Sequence, residues 1–213
     1  MSVHSGMNSI AIAALAGALT LLVSAAAFAG EQPTEAQILE ALKPPLTRSM
    51  SEGPADIARA AEEQRAIEVL RQGQTRSLTS SQREQVAAVA KEKPKVDLEI
   101  YFDYKSGGIS PKAIAGLNSL GNVLSNPDLR GSVFMIAGHT DAKGGDDYNL
   151  RLSERRAEAV RRYLIDKFKL PPEALTAVGY GKEHLKDPQH PYAPENRRVQ
   201  VVNMAAKSTA DAK

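Results

Sequence analysis

The stretch from Ile136 to Arg156, IAGHTDAKGGDDYNLRLSERR, constrains the fold more than any other part of the chain. It passes from an apolar strand through a tight polar turn into a basic helix. Val133 to Ala137 is apolar on both faces, as expected of a central strand that is covered on both sides or lies well inside a sheet. A strand that hands over to a helix sets its own end beside the first turns of that helix. Asp141 stands at the turn and Arg156 stands within the helix, fifteen positions on. An acid and a base can therefore face one small zwitterionic ligand. Asn149, Leu152 and Arg156 are spaced i, i+3, i+7 and share one helix stripe.

The pattern on either side specifies a domain over residues 96–204. Val96, Leu98, Ile100 and Phe102 alternate with Asp97, Glu99 and Tyr101, a period-two strand with one buried face. Gly107-Gly108 ends it. Ser110 and Pro111 open a helix with Ala113, Leu117, Leu120 and Leu124 on its inner stripe, and Asn126-Pro127 stops it. After the central strand, Asp146 or Asp147 can cap a helix that runs to Phe168 and buries Val160, Leu164 and Phe168. Leu175 to Val178 reads as a third strand and Arg198 to Val201 opens the last. The order is β-α-β-α-β-β, a two-layer α/β sandwich. Residues 205–213 read as a polar tail.

Residues 1–29 have the pattern of an export signal. Ile10 to Phe28 is almost entirely apolar, and Ala27-Phe28-Ala29 is a small-x-small cleavage pattern, which predicts cleavage after Ala29. The competing reading is an uncleaved inner-membrane anchor, because the run approaches bilayer length. Residues 30–95 read as a partly helical spacer. Thr34 to Gln37 and Ser81 to Glu84 are capping-box patterns, and Ile57, Ala60, Ile67 and Leu70 form a narrow apolar stripe between them. This region is too short and too helical to supply the eight strands of a small barrel. It has too little apolar surface for a core of its own, and its sharper reading is a helix that binds an envelope protein partner or associates with itself.

Composition excludes several classes. Twenty-seven basic against 25 acidic side chains give a net charge of +2. That balance carries no argument for nucleic acid, which calls for a clearly basic face. With no cysteine there is neither a disulfide framework, nor a lipidation thiol, nor a thiolate metal site. His184 and His190 share a loop without a third ligand, weak grounds for zinc, and no metal or cofactor is expected.

Four segments together carry a family resemblance: IYFDYKSGGI, GHTDAKGG, YNLRLSERRAEAVRRYL and NRRVQV. The region from Leu98 to Met204 resembles the OmpA-like (OmpA/Pal/MotB) peptidoglycan-binding domain. The resemblance implies the same β-α-β-α-β-β fold and non-covalent binding of peptidoglycan, at the free end of the diaminopimelate residue in the stem peptide. It implies an exported protein of the periplasm, associated with the outer membrane or, alternatively, anchored in the inner one, that holds or organises the envelope. That ligand end carries an ammonium and a carboxylate on one carbon. Asp141 suits the ammonium, and Arg156 offers a planar fork of donors to the carboxylate. Asn149, Leu152 and Thr140 flank this pair, and Phe102 and Asp103 match positions that border the family's pocket. Arg197 and Arg198 match the family signature, with folding as their competing role.

Two other readings stand beside this one. A flagellar-stator-like or other envelope-complex subunit would use the same wall-binding domain, but residues 9–29 hold no proton-binding Asp. A periplasmic hydrolase would set His139 as base near Asp141. The chain has no G-x-S-x-G elbow, no H-E-x-x-H and no catalytic Cys, so an enzyme is not expected.

Overall fold

A computed structural model describes residues 32–44, 54–73, 77–102 and 106–205. The expected export signal, Asp103 and the tail beyond residue 205 lie outside the described residues. Five helices are described: α1 (Glu35–Leu42), α2 (Pro54–Gly73), α3 (Ser80–Ala90), α4 (Ile114–Leu124) and α5 (Asp146–Phe168). They surround a sheet of four strands, β1 (Lys95–Leu98), β2 (Val133–His139), β3 (Leu175–Gly181) and β4 (Val199–Ala205), in the order β1-β4-β2-β3. β2 and β3 are parallel and joined by α5, whereas β4 lies antiparallel between β1 and β2. From β1 onward the order is the expected β-α-β-α-β-β.

Both faces of this sheet are covered. On the first face Leu98, Phe134, Ile136, Leu175, Val199 and Val201 meet α4 and α5, together with Ile38 and Leu42 of α1. On the second face Met135, Ala137, Val178, Tyr180, Val202 and Met204 meet Ala66, Ile67 and Leu70 of α2 and Val86, Ala87 and Ala90 of α3. The two-layer sandwich thus carries a third layer, drawn from the region that reads as a spacer in sequence. β2 is apolar on both faces because helices lie against both. α2 packs with its second half alone: Ile67 and Leu70 are buried, while Ile57 is 65% exposed.

A fragment of residues 96–204 lacks these helices and leaves Met135, Val178, Tyr180 and Met204 to solvent. It is expected to keep native secondary structure by circular dichroism, yet to bind a hydrophobic dye and unfold at lower urea than the full chain. Equal midpoints without dye binding would show that the second face needs no cover.

Local chemistry explains where elements begin and end. Thr34 and Gln37 form the expected capping box of α1. At α3 the box is set two positions earlier, with Thr79 as N-cap and Gln82 as its partner rather than Ser81 and Glu84. Gly145, not Asp146 or Asp147, is the N-cap of α5, and the two aspartates sit in the first turn, where the helix dipole favours them. β1 stops at Leu98 because its partner strand begins at Val199, so the chain has nothing further to pair with. The alternation still governs burial beyond it: Ile100 is buried, and Phe102 forms an isolated bridge to Ile109. Arg161 is a clamp. Its Nε donates to the Leu175 carbonyl at 2.8 Å and its Nη2 to the Pro172 carbonyl at 3.2 Å, tying α5 to the start of β3.

Candidate functional site

α5 lies unusually close to β2 and β3, and glycines permit it. A Cβ on Gly138 would stand 2.3 Å from the Ser153 carbonyl oxygen, and one on Gly179 2.6 Å from the Glu154 backbone nitrogen. Ser153 Oγ in turn accepts a hydrogen bond from the Gly181 amide at 2.8 Å. The C-terminal ends of β1, β2 and β3 and the start of β4 are therefore pinned beside the first turns of α5, and the candidate site is built on that edge.

Asp141 stands on a turn fixed from several sides. The Thr140 amide donates to the Gly181 carbonyl at 2.8 Å and the Ala142 amide to the Pro191 carbonyl at 2.9 Å. Asn149, 2% exposed, donates from Nδ2 to the Lys143 carbonyl at 3.1 Å. Asp141 Oδ1 accepts from the Lys143 amide at 3.1 Å, and Oδ2 accepts from Arg197 Nη1 at 2.9 Å. The aspartate side chain is 15% exposed and the arginine 47%, so this pair faces solvent through Arg197.

Arg156 reaches the same edge from α5. Its Nε donates to the Ser106 carbonyl at 3.3 Å, and its guanidinium lies over the Phe102 ring, 4.9 Å from the centroid. Burial draws the Arg156 pKa down. Tyr148 and Asp141 act against that shift, and Arg197 and Arg155 add to it, so all four charges or dipoles are within electrostatic reach. The guanidinium stays charged. Among the described residues the ion-pair partner of Asp141 is Arg197, not Arg156. A direct Asp141–Arg156 structural pair is thus absent there, and the terminal nitrogens of Arg156 have no described hydrogen-bond partner. The arrangement presents one carboxylate paired with Arg197 and within electrostatic reach of Arg156, which is held over the Phe102 ring.

The sequence-derived residues divide by what they touch. Asp141, Arg156 and Phe102 converge. Asn149 braces the turn, Leu152 is 6% exposed on the inner face of α5, and Thr140 is 3% exposed with no described partner for its hydroxyl. Asp103 lies outside the described residues. Arg197, Tyr148 and the Ser106–Gly107 loop are additions. Arg197 was visible in the NRRVQV segment, but its pairing across 56 positions was not. An apolar cleft of about 470 Å³, lined by Leu124, Phe134, Phe168 and Leu175, lies at the opposite end of β2 and β3. Arg71, Arg130 and Glu173 also line it, but its walls are mainly apolar.

His139, next to the site, is buried and packed on Tyr180 at 5.5 Å between ring centroids. Burial, reinforced by Arg198, pushes its pKa down to about 3 from 6.5. The unfolded chain therefore takes up a proton between these values that the folded chain refuses. Stability from this residue is present above pH 6.5 and is lost as pH falls, with a slope approaching about 1.4 kcal/mol per pH unit. Asp97 contributes in a lower window. Burial opposes its charge, but Arg198, Gln200 and Lys186 outweigh that and hold it below its usual 3.8. Urea midpoints measured at pH 6.5 and 4.5 are expected to fall for the native chain and to fall much less for His139→Gln. Parallel declines would contradict a neutral buried His139.

Comparison with known proteins places this site inside a family. Residues 101–200 match the model of the OmpA family. A peptidoglycan-associated lipoprotein of Pseudomonas aeruginosa is 38% identical over 105 residues, covering 47% of this chain and 59% of that protein. Outer membrane protein A of Escherichia fergusonii is 36% identical over 86 residues, covering 40% of this chain and 35% of that protein. The crystal structure of the peptidoglycan-associated lipoprotein from Burkholderia pseudomallei aligns with a TM-score of 0.41 at 32% identity, over 48% of this chain and 86% of that one. The chain thus spans less than two thirds of the length of both curated relatives. Phe102, Asp141, Asn149, Arg156 and Arg197 all fall within the matched segment. Residues 101–200 are an OmpA family domain.

Proposed function

We propose that this chain binds peptidoglycan without covalent chemistry, through Asp141 and Arg156, and so anchors or organises the cell envelope. The observation that carries this reading is the convergence, on one sheet edge, of a fixed carboxylate and a guanidinium whose terminal donors have no partner among the described residues. The ligand end that fits is the free ammonium and carboxylate of diaminopimelate. The carboxylate takes the outer donors of Arg156, and the ammonium takes Asp141, which Arg197 holds in the free protein. Thr140, Asn149, Leu152, Phe102 and Asp103 frame that contact. A relative whose name states association with peptidoglycan supports the reading.

The protein acts in the periplasm as a binding module, not an enzyme. Among the described residues, nothing at the site supplies an activated nucleophile. His139, the one candidate base, is buried with its pKa held far below neutrality. The exposed first half of α2, with Ile57 at its surface, is the part of residues 30–95 suited to an envelope protein partner.

Incubation with isolated sacculi tests both statements. The full chain is expected to sediment with the wall and to release no soluble fragments. Asp141→Ala is expected to lose most of that sedimentation. Release of muropeptides by the purified chain would replace the binding module with a hydrolase.

A further inference from the structure

A second polar site lies on the other face of the sheet, under α3. A cavity of about 150 Å³ is lined there by His139, Tyr180, His184, Arg198, Lys91 and Lys95, among others. His139 is 4% exposed and the Arg198 side chain 9%. Nη1 of Arg198 and both ring nitrogens of His139 are buried without a geometrically aligned hydrogen-bond partner among the described residues, although the His184 backbone lies near enough to act on the His139 ring. Buried polar atoms left unpaired are costly, and their convergence on one cavity points to a ligand.

The surrounding bonds show which donors are spare. Arg198 uses Nε on Asp97 at 3.2 Å and Nη2 on the His184 carbonyl at 3.4 Å, which leaves Nη1. Asp97 is itself shared with Gln200 at 2.8 Å and Lys186 at 3.2 Å, so it does not cancel Arg198 alone. Lys95 Nζ is turned to the Lys91 carbonyl at 2.7 Å and keeps further donors. His184 Nε2 lies 3.3 Å from Glu84 Oε2, out of hydrogen-bonding alignment. The balance around the cavity is cationic, which opposes a metal ion and favours an anion. A neutral imidazole supplies one N–H donor beside the guanidinium. Space for a few waters, at about 30 Å³ each, is also space for one small oxyanion.

We propose that this cavity binds a small oxyanion, of the phosphate or short carboxylate class, through Arg198 Nη1 and a ring nitrogen of His139. The site is separate from the Asp141 edge and does not depend on wall binding. By bridging Arg198 to the residues beneath α3, the anion ties the third layer to the sheet.

The probe is inorganic phosphate, with acetate as a second arm and chloride as the ionic-strength control, added to the full chain labelled at its histidine rings. The His139 ring resonances are expected to move saturably with phosphate or acetate, and the melting temperature to rise beyond the chloride control. Arg198→Lys keeps the charge but withdraws the forked donors, and it is expected to weaken the response by about tenfold or more. If that variant folds poorly, His139→Gln provides the same reading through loss of the anion-dependent rise in melting temperature. A response no larger than that to chloride overturns the site. So does one that survives both substitutions, which would assign the ion to surface lysines.

Discussion

Arg156→Ala is expected to abolish retention on isolated sacculi while lowering thermal stability only modestly. The guanidinium stacks on Phe102 and donates one hydrogen bond to the Ser106 carbonyl, so its removal costs some local packing of that loop. Its larger role is toward the ligand. Removing one partner of a desolvated charged hydrogen bond costs roughly 2–5 kcal/mol, which is about thirtyfold or more in affinity. Arg156→Lys is the sharper variant. It preserves the charge but offers a compact ammonium in place of a planar fork, and it is expected to fail nearly as badly. Arg155→Ala, on the exposed side of the same helix, controls for general loss of positive charge and is expected to bind almost normally. Retention of the Arg156→Ala protein by sacculi would remove Arg156 from the site.

Gly138→Ala is expected to produce the largest loss of stability of any single methyl addition near the site. The new Cβ would lie 2.3 Å from the Ser153 carbonyl oxygen, a backbone atom of α5 that cannot swing aside as a side chain does. Either α5 must move off the sheet or the strand must twist. Overpacking of this kind costs about 3 kcal/mol or more. Because the same approach sets Arg156 beside Asp141, binding is expected to fall with stability. Gly145→Ala is the comparison, since a Cβ there meets nothing within 4 Å. An unchanged urea midpoint for Gly138→Ala would mean that the close approach of α5 does not constrain the edge.

Much of the fold was legible because its signals are local or periodic. The inner stripe of α4, the double-faced β2 and the long amphipathic α5 follow from spacing alone, and each forms where that spacing puts it. What escaped the sequence depends on partners far along the chain. The end of β1 is set by where β4 begins, about a hundred residues later, so alternation through Phe102 overstated the ladder. The third layer escaped for a similar reason. α2 has only a narrow apolar stripe, which reads as a poor core until Met135, Tyr180 and Met204 supply the opposing surface. The capture of Arg161 by two carbonyls near the start of β3 is likewise a long-range contact that helix spacing does not encode.

At the candidate site Asp141, Arg156 and Phe102 lie at one edge of the sheet, with Arg156 over the Phe102 ring and within electrostatic reach of Asp141. Asn149, read as a flank of the ligand, spends its amide on the Lys143 carbonyl and shapes the turn that presents Asp141. The guanidinium that holds Asp141 belongs to Arg197, because the antiparallel entry of β4 returns the chain to the edge where β2 ends. No helix or strand period encodes that return.

The most direct measurement is an NMR titration of the full chain with a soluble stem peptide that carries diaminopimelate with both its ammonium and its carboxylate free. Saturable shifts are expected at the amides of residues 140–143 and around Arg156, with none from the same peptide when its free carboxylate is amidated. Equal shifts from both peptides, or shifts confined to the apolar cleft at the far end of β2 and β3, would contradict ligand binding by Asp141 and Arg156.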